Sequence, residues 1–369
     1  MRLQSGAPYD LGRPYPGRGG LSEVGKEKGK SNAVGYLDFL SSPAWVKKAR
    51  VKSHKARCSK IAAAAKHDRR RSYLNLFSCG LMLTSFLHGV RNKISSGLHT
   101  LELFREPELM QTHSTGTYKQ FGAWELFGSQ GPQMTDVNQG KAGDCYFLAA
   151  LSSVAGANQT AVADMIRDRG DGTYSVRFFL EYSDGSHRPV WTQVDSLLAH
   201  DQDGQLLYTW IKGMKTSSPP VIWAPLVEKA FAKFNDRYQV VSGKQGFEGI
   251  GKGGTLYQGL VALTGKKTEY RFTRNISLPE LKSICEKASS QSAVTVGTGM
   301  NPIQEDIVAG HAYSVAGIVD QKSTTYVVLR NPWGYINVGG HPQDAGFFSV
   351  PLHELSRLFP LIAYASLAD

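Results

Sequence analysis

The sequence predicts an α+β fold, because helical and strand patterns both occur and do not alternate as βαβ units. Runs of alternating and β-branched residues predict strands at 172–182, 187–196, 312–320 and 325–330. Apolar residues at helical spacing predict helices at 144–156, 224–236 and 277–289. Asp-Gly pairs that begin at residues 171, 184 and 203 predict turns close to the first strands.

The charge of the chain is divided between two regions. The 369 residues have a formal net charge of +11. Residues 1–100 carry 19 Lys and Arg against 5 Asp and Glu, a net charge of +14, whereas the other 269 residues carry 23 against 26, or −3. Any interaction with nucleic acid or an anionic membrane is therefore confined to the N-terminal region. No specific nucleic acid is predicted as a partner.

Residues 1–120 are predicted to form a basic, partly disordered N-terminal region. The lead at 1–35 is rich in Gly, Pro and Ser without an apolar period, which is typical of disorder. A basic helix is predicted at 45–71, and an apolar run follows at 73–90. That run has about the length of a bilayer span but contains polar residues, so a buried helix and a membrane anchor both stay open. The region could inhibit the rest of the chain, contact an anionic surface, or have no function.

The cysteines indicate a reducing compartment such as the cytoplasm. Cys58, Cys79, Cys145 and Cys285 are widely scattered, and none forms a CxxC pair. Neither a disulfide framework nor a zinc site is therefore predicted. In such a compartment a single thiol can be kept for chemistry.

Cys145 is predicted to lie in the first turn of a helix. Asp144 is a preferred N-cap residue, and Leu148, Leu151 and Val154 follow at helical spacing. The positive end of a helix favours an anion, so with a cationic partner the thiol pKa is expected to fall from about 8.5 toward about 4 to 7. The alternative is that Cys145 is one more small, inert core residue.

A base and a residue that orients it are predicted within the hairpin 310–334. If the turn centres on Gln321, antiparallel pairing places His311 opposite Asn331, with Cβ atoms about 5 Å apart. One imidazole nitrogen could then meet the Asn331 amide while the other faces a thiol. A structural histidine and an Asx turn before Pro332 are the alternatives for each residue taken alone.

Four stretches, in order along the chain, closely resemble the calpain family of papain-like cysteine proteases. They are DVNQGKAGDCYFLAAL (136–151), WAPLVEKAFAKFNDRYQVVSG (223–243), GHAYSVAGI (310–318) and LRNPWG (329–334), within a match that covers roughly 125–365. The resemblance implies a papain-like fold of two lobes: a helical one with the cysteine at 121–240 and a β-rich one with His and Asn at 241–369.

The resemblance also implies roles for individual residues. Cys145 would be the nucleophile, His311 the general base and acid, and Asn331 the residue that orients His311. Gln139 would join the Cys145 backbone N–H in an oxyanion hole. Trp333 would shield the hydrogen bond between His311 and Asn331 from water, or else be an ordinary core tryptophan. Protein substrates and a thiolate–imidazolium pair follow from these roles, and no cofactor is needed.

The core calcium sites of the animal enzymes of the family are incomplete in this sequence. Asp136 matches a ligand of the first site, but Val221 stands where an acidic residue is expected. At the second site Asp344 is present, whereas Asn337 and Gly346 stand where acids are expected. So few oxygen ligands predict an enzyme that is independent of calcium. No room for the C-terminal regulatory domains of the animal enzymes is seen after residue 365.

Two other function classes stay open. One is a non-catalytic calpain-like interaction module, which the complete set of Cys145, His311, Asn331 and Gln139 argues against. The other is a thiol acyltransferase of the transglutaminase type, which would usually pair its histidine with an aspartate instead of an asparagine.

Overall fold

The computed structural model describes residues 105–120, 123–211, 220–301, 304, 307–336 and 345–368. The predicted disordered lead at 1–35, basic helix at 45–71 and apolar run at 73–90 lie outside these residues. Within the described part, no helix is long and apolar enough to cross a membrane.

The helices and strands are numbered in chain order. The α-helices are α1 (Cys145–Ala157), α2 (Gln159–Met165), α3 (Trp223–Tyr238), α4 (Gly246–Ile250), α5 (Leu256–Thr264), α6 (Leu278–Glu286) and α7 (Leu355–Leu358). The strands are β1 (Thr117–Gln120), β2 (Ile166–Asp168), β3 (Thr173–Glu181), β4 (His187–Asp195), β5 (Leu197–His200), β6 (Thr268–Phe272), β7 (Ser292–Gly297), β8 (Ala312–Gln321), β9 (Thr324–Arg330), β10 (Phe347–Pro351) and β11 (Leu361–Ser366). Short 3-10 helices occupy Gln111–His113, Met134–Asp136, Thr273–Asn275 and Leu352–Glu354.

The predicted α+β class is confirmed, and each helix and strand that was predicted within the described residues is present within a few residues of its expected bounds. The Asp-Gly turns are also confirmed, since Gly172, Gly185 and Gly204 adopt φ angles of 82°, 76° and 77°, which favour glycine. Helix α6 ends at Glu286 instead of the predicted residue 289. It stops early because Ser289 adopts a left-handed conformation, with φ of 59°.

The first hydrophobic core surrounds helix α1. Ten consecutive residues of α1, Tyr146 to Ala155, are buried. The ring of Phe147 stacks on that of Phe231 in α3, with centroids 3.8 Å apart. Helix α5 approaches so closely that a side chain on Gly259 would touch the carbonyl oxygen of Tyr146. The antiparallel sheet β2–β3–β4 covers another side of this core.

The segment before α1 is tied to the same core. Strand β1 pairs antiparallel with β5, and the Met110 backbone N–H donates to the hydroxyl of Tyr208 across 2.9 Å. Lys229 of α3 is only 2% exposed and contacts the carboxylates of Glu106 and Asp195, each across 2.6 Å. Residues 105–120 therefore pack as part of this unit.

The second hydrophobic core lies on a six-stranded sheet in the order β10–β9–β8–β7–β11–β6, with all neighbours antiparallel. Side chains of β7, β8, β9 and β11 pack with those of α6 and α7. The boundary at 240/241 between the lobes stays a prediction; in the packing, α4 and α5 contribute to the first core.

Helix α1 lies directly against the second lobe's sheet. The Ser314 hydroxyl of β8 donates to the Ala149 carbonyl of α1 across 2.8 Å. The Ser153 hydroxyl of α1 donates to the Val294 carbonyl of β7 and accepts from the Val294 N–H, at 3.0 and 2.7 Å. These contacts bring the start of α1 beside the start of β8, which follows His311.

Candidate active site

Cys145 is the first residue of helix α1, as predicted. Its thiol is half-buried, and its sulfur interacts with the Ala312 backbone N–H at the start of β8 and with the N–H groups of Cys145 and Tyr146. These donors favour a negative charge on the sulfur or close to it. Because Ala312 directly follows His311 in the chain, the sulfur and the imidazole belong to one site.

Glycines let the loop before Cys145 run against the rest of the first lobe. A Cβ atom on Gly140 would overlap the Tyr208 carbonyl group. The Gly143 N–H donates to the Gly251 carbonyl across 2.9 Å, and the Gly253 N–H donates to the Gly143 carbonyl across 3.1 Å. Glycine is needed at both positions because the backbone of another segment approaches each of them closely.

His311 is held from both its backbone and its side chain. Its N–H donates to Thr298 Oγ1 across 2.8 Å, and its carbonyl accepts from the Thr298 N–H across 2.9 Å. The ring is 7% exposed, and its Nε2 atom lies 2.9 Å from Asn331 Oδ1. The predicted pairing of His311 with Asn331 is therefore present.

The protonation of the His311 ring follows from the Asn331 amide. Asn331 Oδ1 also accepts from the Trp333 backbone N–H across 3.0 Å, and a backbone N–H can only donate. The atom that faces His311 is therefore the carbonyl oxygen, which can only accept. Nε2 must carry the ring proton, and Nδ1 keeps a lone pair that can accept a proton from a thiol.

The predicted register of the hairpin is wrong in detail. The turn centres between Lys322 and Ser323, since Gln321 pairs with Thr324, instead of on Gln321. A bulge between Val315 and Gly317 then shifts the register by one residue, so that Ser314 lies opposite Arg330. His311 and Asn331 flank the ends of β8 and β9, outside the paired residues, and their side chains meet across the hairpin.

Gln139 lies close to the Asn331 turn. Its backbone N–H donates to the Pro332 carbonyl across 2.7 Å, which ties the loop before Cys145 to the turn after Asn331. One N–H of its side-chain amide donates to the Ala142 carbonyl across 2.7 Å. The amide nitrogen has a second N–H, which this bond leaves available for a substrate oxygen.

Trp333 covers one side of the His311 ring. The two ring centroids are 4.8 Å apart and the planes are inclined by 48°. The indole is half-buried, which is a position at the edge of the site and not in the core. Its location agrees with the shielding role that the family resemblance implies.

The electrostatics differ from the expected low thiol pKa. Burial raises the pKa of Cys145 to about 11, and it lowers the pKa of His311 to about 4, against the opposing effect of the Asn331 hydrogen bond. Desolvation outweighs the helix terminus because both groups lie in a closed interface. Among the described residues, no hydrogen bond joins the Cys145 sulfur to His311. Both pKa shifts favour the neutral thiol and the neutral imidazole over the ion pair.

Asp144 is the N-cap residue of helix α1, as predicted, but its side chain accepts no capping hydrogen bond. Its carboxyl group is fully buried and faces Glu228 of α3. Burial and the Glu228 charge raise the pKa of Asp144 well above its ordinary value, and burial raises the pKa of Glu228 to about 7. Within the described structure neither Asp144 side-chain oxygen meets an N–H or hydroxyl donor. The raised pKa values of the two carboxyl groups favour one proton shared between an oxygen of Asp144 and an oxygen of Glu228.

That shared proton limits the negative charge beside the Cys145 sulfur. Sequence reasoning missed Glu228, because nothing in the pattern of α3 distinguishes it from a surface glutamate. It also missed Arg330, the residue before Asn331, which is fully buried. A charged residue at the end of the apolar run TTYVVL was a usable signal for Arg330.

The first calcium position of the family does not fit a metal in this chain. Asp136 Oδ2 accepts from Trp223 Nε1 and from the Gln133 N–H, each across 2.8 Å, and Val221 offers no ligand. No group of three or more His, Cys, Asp or Glu in the described residues could hold a metal ion. Of the second position, Gly346 is described and has no side-chain oxygen, whereas Asn337 and Asp344 lie outside the described residues.

A cysteine on a helix start, beside a histidine and asparagine presented by a sheet, defines the papain-like cysteine protease core. Residues 100–346 match the sequence profile described as calpain family cysteine protease. This match covers more than half of the chain, and the chain belongs to the calpain family. Both the fold prediction and the family resemblance are confirmed.

Curated relatives agree with this assignment. Calpain-9 of Rattus norvegicus is 28% identical over 248 residues, which cover 62% of this chain and 33% of the relative. The calpain-2 catalytic subunit of Mus musculus is 26% identical over 280 residues, or 66% and 36% of the two chains. That of Homo sapiens is 25% identical over 316 residues, or 75% and 40%. The matched part of this chain thus spans less than half the length of these relatives.

Proposed function

We propose that this chain is a cysteine endopeptidase that hydrolyses peptide bonds in protein substrates. The observation that carries the proposal is the 2.9 Å hydrogen bond between His311 and Asn331. It lies beside Cys145, because the backbone N–H of Ala312, the residue after His311, interacts with the Cys145 sulfur. This is the arrangement of nucleophile, base and orienting group that acyl transfer needs. The hydrogen bond between sulfur and base, which is absent in the resting site, would form as the sulfur approaches an electrophilic carbon.

The first step is attack on the substrate carbonyl carbon. The Cys145 proton passes to His311 Nδ1 as the sulfur forms its bond to carbon, so neither charged group needs to exist in the buried resting site. The carbonyl electron pair moves onto oxygen. The Cys145 backbone N–H and the free N–H of the Gln139 amide would stabilise that oxyanion.

The following steps release both products. His311, now protonated, donates its Nδ1 proton to the leaving amine as the carbon–nitrogen bond breaks, and a thioester remains on Cys145. Water then loses a proton to His311 and attacks the thioester. The proton returns to the sulfur when the carboxylic acid leaves, which restores the resting site.

The proposal is tested by incubating the purified chain with casein and following the peptides released. We expect cleavage by the wild type and by Cys285→Ala, a matched control that removes the buried cysteine of α6. Cys145→Ala and His311→Ala should give none. Unchanged cleavage by Cys145→Ala would overturn the proposal.

The same reaction separates the two alternatives. A thiol acyltransferase would produce isopeptide-linked casein, which mass spectrometry distinguishes from cleaved chains. An interaction module would produce neither, and a biological effect retained by Cys145→Ala would support it. The hydrolase is favoured because Asn331, and not a carboxylate, orients His311.

We propose further that the enzyme works without calcium, as the poor fit of Asp136 and Val221 supports. A reducing compartment such as the cytoplasm suits a reaction that depends on one free thiol.

For the basic N-terminal region, self-inhibition or contact with an anionic surface is proposed. Comparing a variant that lacks residues 1–100 with the full chain tests both ideas, because unchanged turnover and unchanged vesicle binding would eliminate them. The deletion stops before the packed segment that begins at Arg105.

A further inference from the structure

Arg330 places a guanidinium group inside the protein, at the end of β9 and directly before Asn331. The residue is 0% exposed. Its Nε donates to the Ala345 carbonyl across 3.0 Å, Nη1 to Ser152 Oγ across 3.2 Å, and Nη2 to Asn138 Oδ1 across 3.0 Å. All three nitrogens of the planar group are therefore used, in three different directions.

Two of the acceptors belong to segments that carry a candidate catalytic group, and the third adjoins a residue that binds Asn331. Ser152 lies seven residues after Cys145 in α1, on the same face of the helix. Asn138 is the neighbour of Gln139. Ala345 precedes Gly346, whose carbonyl accepts the Asn331 N–H across 2.8 Å.

Asn138 is itself fixed from several sides. Its amide nitrogen donates to the carbonyls of Thr135 and Asp136, at 3.2 and 3.3 Å, and its backbone carbonyl accepts from the Trp210 N–H across 2.8 Å. A Cβ atom on Gly334 would collide with Asn138 Oδ1. The bond from Arg330 therefore ends on a rigid acceptor, against which the turn after Asn331 is closely packed.

The arrangement is costly if its only purpose is stability. Burial lowers the pKa of Arg330 to about 10, which still leaves the group charged at neutral pH. Among the described residues no carboxylate lies within ion-pair distance, and all three acceptors are neutral. The charge of Asp136 offsets only part of the desolvation. An apolar residue of similar size usually stabilises such a site as well or better. A buried charge of this kind is better explained by the geometry that it imposes.

We propose that Arg330 is a positioning residue, whose planar guanidinium group fixes helix α1 and the loop that carries Gln139 relative to the turn after Asn331. It would act through Asn138, Ser152 and Ala345 without touching the substrate. The inference rests on the proposed peptidase function and deepens it. A lysine at this position could reach one of the three acceptors but not all of them.

The test uses the full-length chain and two readouts, casein turnover and the rate at which iodoacetamide alkylates Cys145 between pH 5 and 8. In the wild type, His311 takes the thiol proton, so the alkylation rate should change little across this range. In Arg330→Met and Arg330→Lys, His311 no longer meets the sulfur correctly. The alkylation rate of these variants should be lower than that of the wild type and should increase about tenfold per pH unit, as for an unassisted thiol below its pKa. In the same variants kcat/KM should fall about 100-fold, mainly through kcat.

Lys229→Met is the matched control, because it removes another buried cation that lies away from the site. It should lower the melting temperature without changing the pH dependence of alkylation. A second pair of variants guards against misfolding of the Arg330 variants. Ser152→Ala removes the acceptor of Nη1 and Asn138→Leu that of Nη2, and both should change the pH dependence of alkylation in the same direction as Arg330→Lys.

Wild-type pH dependence and turnover in folded Arg330→Lys and Asn138→Leu would overturn the inference and leave the peptidase proposal intact. The inference would also be overturned if Arg330→Met and Lys229→Met differed only in stability and not in turnover or in the pH dependence of alkylation. If the wild type itself shows neither casein cleavage nor assisted alkylation, both proposals fail.

Discussion

Asn331 Oδ1 accepts a hydrogen bond from His311 Nε2–H across 2.9 Å, and this bond joins the residue that follows β9 to the residue that precedes β8. Because a neutral amide faces the ring, its hydrogen bond only partly offsets the desolvation of the imidazolium, and the pKa of His311 is lowered to about 4. The low pKa keeps His311 available as a base over a wide range of pH.

The acid limb of the pH profile reports this environment. His311 must be neutral to accept the thiol proton, so kcat/KM should rise with pH through about 4 and change little from pH 6 to 8. In Asn331→Asp, a carboxylate would stabilise the imidazolium, so the limb should move to higher pH. Asn331→Leu should lower kcat about 100-fold or more, because neither the tautomer nor the ring orientation is held. A limb that stays in place in Asn331→Asp would contradict this account.

The carboxyl pair of Asp144 and Glu228 should make stability depend on pH. The pKa of Glu228 is about 7 in the folded chain and about 4.5 in a free side chain, so the folded state keeps a proton that the unfolded state loses. Stability should therefore decrease as pH rises from about 4.5 to about 7. Glu228→Gln removes this loss and should raise the free energy of unfolding at pH 8 by at most about 3 kcal/mol.

Denaturant unfolding at pH 5 and pH 8 measures that difference. The exposed substitution Glu125→Gln is the control and should leave the difference as in the wild type. If Glu228→Gln destabilises the chain at both pH values equally, the pair does not share a proton.

The Gly140 position should tolerate no side chain. A methyl group there would overlap the Tyr208 carbonyl, so Gly140→Ala must displace the loop that carries Gln139. We expect a loss of about 1–3 kcal/mol in stability, together with a large loss of casein turnover. Gly243→Ala is the control, since its nearest atom, on Gln239, is 3.9 Å away. Equal effects of the two substitutions in melting and turnover assays would contradict this expectation.

Calcium should have little effect on the enzyme. The Asp136 carboxylate is already bound by Trp223 and Gln133. Casein turnover should therefore be the same with about 1 mM chelator as with about 1 mM calcium, a concentration that would fill even the weak sites of extracellular calcium-binding modules. The melting temperature should be unchanged as well. Calcium-dependent turnover would show instead that residues outside the described ranges, such as Asp344, complete a site.

Local patterns predicted the secondary structure and the residues of the candidate site. Helix α1 begins at Cys145, where Asp144 as N-cap residue and the apolar spacing predicted it. The pairing of His311 with Asn331 was found although the turn was misplaced, because both residues flank a hairpin whose strand patterns are clear. The bulge near Gly317 leaves no comparable mark in the sequence, so the register could not be predicted.

Properties that depend on burial could not be read from the sequence. The thiol pKa was expected to fall because a helix terminus is a local feature, whereas the desolvation that raises it comes from packing between the lobes. Glu228 and Arg330 are polar residues in ordinary helix and strand patterns. Their roles depend on Asp144 and Asn138, which are distant in sequence and meet them only in the folded chain.

The central claim is tested most directly by titrating the chain with a thiol-directed epoxide and following adducts by intact mass and peptide mapping. We predict one adduct per chain, on Cys145, with casein cleavage lost in proportion to the adduct and no adduct in Cys145→Ala. Complete modification of Cys145 with casein cleavage unchanged would contradict the claim.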